Sequence, residues 1–387
     1  MMNKKTILFV HQSSDLYGSD KTLLILVNKL NKNFFRPIVV LPRKGPLLEE
    51  LKKQNIKIII TPVINIHKRM FNLKELFFLP FNLIKSIHKL HKELKGIKID
   101  IVQSNTVVVT LGFVYARLKK IKHFWHIHEV LESPKIAVIV FSWLVKVFSD
   151  FTIFNSISTQ KSYCKRFPVI KEKSVIIYNG LDRELETTSK IEQYKLKENL
   201  EYNSNDVILG LVGRINVNKG HILLLNSFNE ILKKQPNIKL LFIGSVVKGK
   251  EQVLEILKKQ IVKLGLEGKV KILPFQKQIW KFWDIIDIAV VPSTVPESFG
   301  LVALEAMLAC KPVIASNLGA LKEVVKNNTT GFLFDINDKK DFEKKIQILL
   351  ENKELREEYG IAGYSRAKKT FNIEKYIYQF EQKYLED

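Results

Sequence analysis

The 387-residue chain has only two cysteines, Cys164 and Cys310, far apart and without a partner pattern. Their scarcity excludes a disulfide scaffold and a cysteine-based zinc site, and it points to a reducing compartment, the cytoplasm. A long apolar run is also missing. The longest, Ile136 to Val145, is broken only by Ser142 and stops at Lys146, well short of the ~18 residues that nominate a bilayer span. The first residues, Met1 to His11, lack the apolar core of a signal peptide and read as a first β-strand. Acidic residues are few: 39 Asp+Glu stand against 62 Lys+Arg, a formal net charge of +23. The deficit is concentrated in residues 1–190, which hold 32 basic and 14 acidic side chains, against 30 and 25 in residues 191–387. A basic surface on that scale suits a polyanionic partner: nucleic acid, anionic lipid head groups or a phosphorylated substrate. The abundance of lysine, asparagine and isoleucine throughout is the plainer explanation of the same charge.

Three nucleotide and metal signatures are absent as well. There is no Walker-type Gly-Lys-Ser/Thr loop, no Gly-x-Gly-x-x-Gly, and no Asp-x-Asp on which a metal clamp would be built. His67, His88 and His91 lie in basic segments where histidine is ordinarily a surface residue, and His126 with His128 has no third ligand at metal spacing. No metal site and no cofactor is expected.

What is present is alternation. Short β-rich runs (Thr6–Val10, Pro37–Leu41, Lys57–Thr61, Asp100–Ser104, Phe124–His128, Phe151–Asn155, Val175–Tyr178) are separated by helical patterns. The pattern breaks after Gly180 and restarts at Val207–Val212, Lys239–Ile243, Val270–Leu273, Ile288–Pro292, Pro312–Ala315 and Phe332–Phe334. Such alternation predicts two α/β domains with doubly wound parallel sheets, a class in which ligands bind at the carboxyl ends of the strands. The expected boundaries are 1–182 for the first domain, 183–206 for a polar linker, 207–369 for the second domain and 370–387 for a closing helix.

Two blocks carry chemistry. In the first, the strand ending at Pro292 leads through Glu297 and Ser298 into a helix expected to open near Phe299 and to carry Glu305. Backbone N–H groups from Phe299 through Gly300 to Leu301 can hold a phosphate, and the two carboxylates can accept hydrogen bonds from sugar hydroxyls. The alternative is structural: Ser298 caps the helix, Glu297 complements its dipole and Glu305 is solvated. In the second block, Gly210 to Gly220, Gly213 turns the chain off a strand and Arg214 and Lys219 can reach one diphosphate from a single loop.

Together the blocks resemble the retaining glycosyltransferases of family 4, which have the GT-B fold of two Rossmann-like domains facing across a cleft, with a C-terminal helix crossing back to the first. Tyr17-Gly18-Ser19-Asp20 resembles the family's Gly-Gly-Ala-Glu loop, His128-Glu129 its His-Asp strand end, and Asn179-Gly180-Leu181-Asp182 its Asn-Gly-Val-Asp domain end. The resemblance implies that Arg214 and Lys219 neutralise the departing diphosphate, Glu297 contacts the donor sugar, Glu305 grips the ribose, His128 lies near the transferred sugar and Gly18 faces the diphosphate. It implies a retaining, metal-independent hexosyltransferase of bacterial cell-surface polysaccharide synthesis. Its donor would be a UDP- or GDP-linked sugar and its acceptor a glycan or lipid-linked molecule, at the inner face of the cell membrane. A nucleotide-sugar epimerase of the same fold and a basic nucleic-acid-binding protein are the alternatives; no helix-turn-helix, zinc-finger or RNP pattern supports the latter. An anionic membrane is a further expected partner, through the basic and aromatic run Phe71–Lys85.

Overall fold

A computed structural model describes residues 4–63, 73–132, 134–183, 187–247 and 249–386, with backbone alone for 73–79. Two compact units divide the chain: residues 1–180 with 373–387, and residues 181–372.

In unit 1 the order is β1 (Lys5–His11), α1 (Gly18–Lys29), β2 (Phe35–Leu41), α2 (Pro46–Lys52), β3 (Lys57–Ile60), α3 (Leu73–Glu93), β4 (Ile101–Asn105), α4 (Leu111–Lys119), β5 (Lys122–Ile127), α5 (Lys135–Phe148), β6 (Phe151–Phe154), α6 (Ile157–Cys164) and β7 (Ser174–Ile176). Unit 2 continues with α7 (Lys190–Asn199), β8 (Val207–Val212), α8 (His221–Leu232), β9 (Ile238–Ile243), α9 (Gln252–Lys263), β10 (Val270–Leu273), α10 (Ile279–Ile285), β11 (Ile288–Val291), α11 (Leu301–Leu308), β12 (Val313–Ser316), α12 (Leu321–Val324), β13 (Gly331–Phe334), α13 (Lys339–Glu351) and α14 (Lys353–Thr370). The last helix, α15 (Ile373–Glu386), returns to unit 1.

Each unit is a parallel sheet covered on both faces, which is why its strands read as apolar runs rather than alternating ones. The strand orders are β3-β2-β1-β4-β5-β6-β7 and β10-β9-β8-β11-β12-β13. Each order reverses once, between β1 and β4 and between β8 and β11, and the loops leaving those strands border the crevice where open α/β sheets bind ligands. The sequence blocks fall at these loops: Gly18 where the loop after β1 enters α1, Arg214 and Lys219 after β8, Glu297 after β11.

On one face of the unit 1 sheet α15 buries Tyr376, Ile377, Phe380 and Tyr384 against Phe9, Phe35 and Phe124. The Tyr384 hydroxyl, sealed in that core, donates to Gln103 Oε1 at 2.6 Å, so its polar tip is satisfied.

Three expectations are corrected. Residues 183–206 are not a plain linker: Ser189 and Glu192 form a reciprocal capping box that starts α7 without an apolar stripe. Leu181 and Asp182 belong to unit 2, through Leu181 N–H to Phe371 O at 3.0 Å and Lys368 to Asp182 at 2.7 Å. The closing segment does not start at 370, because α14 runs to Thr370 and α15 begins at Ile373.

Candidate active site

In unit 2, β8 and β9 end side by side, and a Cβ at Gly244 would lie 1.9 Å from Gly213 O. Glycine at 244 is what lets the two strand ends meet, and Gly213 itself turns off the strand at φ +146°. Arg214 follows. Asn216 Oδ1 then accepts the Asn218 N–H at 2.9 Å and sets a short 3₁₀ turn ending in Lys219. Gly220, at φ +72°, opens α8 so close to the end of β11 that a Cβ would stand 1.9 Å from Pro292 O. A further bond, Thr294 N–H to Asn218 O at 2.8 Å, ties the two loops together.

That stitching brings Lys219 Nζ to 2.5 Å from Glu297 Oε1, which also accepts the Ser293 hydroxyl at 2.5 Å. Burial raises the Glu297 carboxyl pKa, but Lys219, Ser293 and Arg214 outweigh it and hold the group below the ordinary carboxylate value. Glu297 is therefore ionised, its side chain 18% exposed. Its backbone is gripped from the loop after β12: Ala320 N–H donates to Glu297 O at 2.8 Å, and Gly319, at φ +55°, approaches so closely that a Cβ would lie 2.3 Å from that oxygen. Gly319 had no signal in the sequence beyond being a glycine in a loop.

The helix beyond Glu297 begins later than its pattern predicts. Gly300 adopts φ +94°, ψ +51°, a left-handed conformation, and α11 starts at Leu301 with no side-chain cap. Ser298 is thus not the N-cap, and the first-turn N–H groups that lack intrahelical acceptors start at Leu301 rather than Phe299. Phe299 is buried, its ring edge-on to Phe371 at 5.6 Å. Glu305 is 6% exposed on α11 and not solvated. His221, at the start of α8, carries no sequence motif; it is buried beside Phe242, and burial and then Lys219 lower its pKa to about 4.

Unit 1 gathers its own cluster at the ends of β1 and β5. Gly18 opens α1 with Tyr17 as N-cap. Asp20 turns inward: one carboxylate oxygen meets His11 Nε2 at 2.7 Å and the other accepts the Tyr17 N–H at 2.8 Å. Burial raises the Asp20 pKa, and His11 and the Tyr17 N–H more than offset it. The strand β5 ends at Ile127, one residue short of the expected end, so His128 folds back onto His126, with Nε2 to Nδ1 at 3.2 Å and ring centroids 3.9 Å apart. Burial, then the charge of His11, lowers His128 to about 3, while His126 is held well below its ordinary value by burial and by the neighbouring histidines. Glu129 Oε2 accepts the N–H groups of Val107 and His128 at 3.1 and 3.2 Å, yet burial prevails and its carboxyl is pushed up to about 7. The His11–Asp20 pair, which the sequence did not mark, therefore shares one neighbourhood with His128. Among the described residues no group of His, Cys, Asp or Glu is arranged to hold a metal ion.

Comparison with known proteins agrees with this architecture. The Glycosyltransferase Family 4 model matches residues 18–185, and the model of Glycosyl transferases group 1 matches residues 192–366. The capsular polysaccharide biosynthesis glycosyltransferase CapM of Staphylococcus aureus is 31% identical over 196 residues, half of each chain. The lipopolysaccharide 1,2-N-acetylglucosaminetransferase of Salmonella typhimurium is 31% identical over 161 residues, 41% of this chain and 42% of its own. The chain spans about half the length of the curated relatives it matches. The Anabaena protein HepE, solved with UDP-glucose, superposes with a TM-score of 0.84 over 98% of both chains at 23% identity, a likeness of fold. With two family models accounting between them for most of its length, the chain belongs to the family 4, group 1 glycosyltransferases of GT-B fold.

Proposed function

We propose that this protein transfers a sugar from a nucleotide-diphospho-sugar to a lipid-linked or polysaccharide acceptor, with retention of anomeric configuration and without a metal. Cell-surface glycan synthesis at the inner face of the membrane is the setting in which we place it. The observation that carries this reading is the knitting of two loops at the β8/β11 reversal, which sets Lys219 against an ionised Glu297 beside the start of α11.

When the donor bond breaks, negative charge collects on the leaving diphosphate while the anomeric carbon becomes oxocarbenium-like. Lys219, Arg214 and the first-turn N–H groups of α11 are fixed before that charge develops, which is the condition under which such groups lower a barrier. Glu297, ionised beside Lys219, offers its carboxylate lone pairs to sugar hydroxyls. Glu305, buried on α11, is assigned to the ribose diol. In unit 1, His128 is assigned to the transferred sugar by its likeness to the family histidine. As a neutral imidazole it can accept or donate a single hydrogen bond without adding charge to an oxocarbenium-like centre. The solved relative with bound UDP-glucose and the capsule and lipopolysaccharide relatives support the donor class and the glycan acceptor.

A thermal-shift panel of UDP-, GDP- and ADP-sugars tests the donor. One nucleotide class should raise Tm in a concentration-dependent way, and NMR of the product made from that α-linked donor should show an α linkage. A β product, or no stabilisation by any of the sugars, would overturn the reading.

A further inference from the structure

Helix α5 is apolar on both sides, but the sheet covers only one. Inward, Phe141 and Val145 pack with Trp125, Ile127, Phe154 and Tyr163. Outward stand Ile136, Ile139, Val140, Trp143 and Val147, between 39% and 72% exposed. Their spacing of i, i+3, i+4, i+7 and i+11 puts them on one stripe. Soluble surfaces scatter such residues singly; a contiguous stripe marks a docking face.

Charge selects the occupant. Lys135 and Lys146 stand near the two ends of α5, which carries no acidic residue. At its C-terminal end Arg117 donates to Val147 O at 2.9 Å and Lys173 to Lys146 O at 2.8 Å, so three cations gather at the end of the stripe. From Arg117 to Lys173 the chain has 11 Lys+Arg and 4 Asp+Glu. A helix with an apolar face centred on Trp and basic residues about it is built to lie in a membrane interface. A second copy of this chain would bring the same basic face against itself. Among the described residues no helix is long and apolar enough to cross a membrane, so the contact is peripheral.

We infer that the outward face of α5 docks on an anionic lipid surface, with Trp143 inserted at head-group depth and Lys135, Lys146, Arg117 and Lys173 on the lipid phosphates. This is a different surface from the expected run Phe71–Lys85, of which Phe71 lies outside the described residues and Phe77 and Phe78 are described in backbone only. The helix follows β5 directly, so docking would hold the His126–His128–Glu129 end of unit 1 at the bilayer. That purpose rests on the proposed lipid-linked acceptor; the binding does not.

Trp143 is the one exposed indole of the chain's four, Trp125, Trp280 and Trp283 being buried, so its emission reports the contact directly. The full chain, without donor or acceptor, is mixed with phosphatidylcholine vesicles with or without about one-third phosphatidylglycerol. Expected are cosedimentation with the anionic vesicles only, weakened by salt, a blue shift of emission, and quenching by brominated acyl chains. Val140→Asp should lower vesicle partition at least tenfold while leaving Tm protection by the nucleotide sugar unchanged. Wild-type binding without quenching would overturn the inference, as would undiminished binding of folded Val140→Asp. A dimer that Val140→Asp dissociates, with no vesicle binding, would give the face to a second copy and overturn it too. Loss of nucleotide-sugar protection in the wild type would instead strike the transferase reading and leave vesicle binding standing.

Discussion

In unit 2 the carboxylate of Glu297 lies 2.5 Å from a lysine and is held ionised; in unit 1 the carboxyl of Glu129 accepts two backbone N–H groups and is nonetheless pushed up to about 7. Both are partly buried at the carboxyl end of a parallel strand, so depth does not separate them. The nature of the partner does. A full positive charge at contact outweighs desolvation, whereas neutral dipoles offset it only in part. Unit 2 thus presents an ionised carboxylate in contact with a lysine, while unit 1 presents the neutral imidazoles of His126 and His128 and a carboxyl that titrates near neutrality. Fixed cations stabilise charge that develops in a reaction; neutral groups position hydroxyls without repelling a cationic centre.

Removing the contact charge should break the contrast most. Lys219→Ala should reduce turnover ~10²–10³-fold, the usual effect of deleting one preorganised donor, with a modest fall in Tm because the buried Glu297 loses its partner. It should also let the Glu297 carboxyl pKa rise, so that activity in the variant falls further toward acid. Steady-state kinetics against pH checks both, and unchanged turnover in a folded variant would refute the role of Lys219.

The two carboxylates of unit 2 sharpen the comparison at the next level. Glu305→Ala should weaken binding of the free nucleotide by ~1.5–3 kcal/mol, roughly 10- to 150-fold, through loss of the proposed contact to the ribose diol. Glu297→Ala should leave nucleotide affinity nearly intact while impairing transfer. Calorimetric titration of both variants decides, and the reverse pattern would exchange the two assignments.

The smallest effect belongs to unit 1 and appears in stability. The Glu129 pKa of about 7 lies above its ordinary 4.5, so between those values the folded state holds the proton better and stability falls as pH rises. His123 and His128, lowered to about 4 and about 3 from 6.5, act oppositely: the folded state binds their protons more weakly, and stability is lost as pH falls below about 6.5. Glu129→Gln removes only the first contribution and can still accept both backbone N–H groups. Its Tm should therefore rise relative to wild type between about pH 5 and pH 8. A difference that does not vary with pH would mean that Glu129 ionises normally.

How far the sequence spoke depends on range. Strands were legible because parallel strands covered on both faces are continuous apolar runs, and β8 and β10 match their expected limits, Val207–Val212 and Val270–Leu273. Helix α7 was hidden: its start is a polar capping box and its body, Lys190–Asn199, has no buried residue to give a period. The start of α11 was misplaced by two residues since a left-handed Gly300 leaves no trace in hydrophobic spacing. Within the site, Arg214, Lys219 and Glu297 announced themselves as charged residues after strands, but their pairing spans 78 positions and depends on the sheet order. The His11–Asp20 pair is hidden for a different reason, because a buried histidine in contact with a carboxylate and a surface one look alike in one dimension.

The return of α15 to unit 1 also governs the order in which the protein can be made. Phe9, Phe35 and Phe124 lie under Tyr384, yet the ribosome reaches that tyrosine only after all of unit 2. At typical elongation speeds of about 5–20 residues per second, translation of residues 181–372 leaves those rings uncovered for ~10–40 s. During that interval the nascent first unit exposes an aromatic face awaiting its lid, and unit 2 can finish folding before its predecessor does.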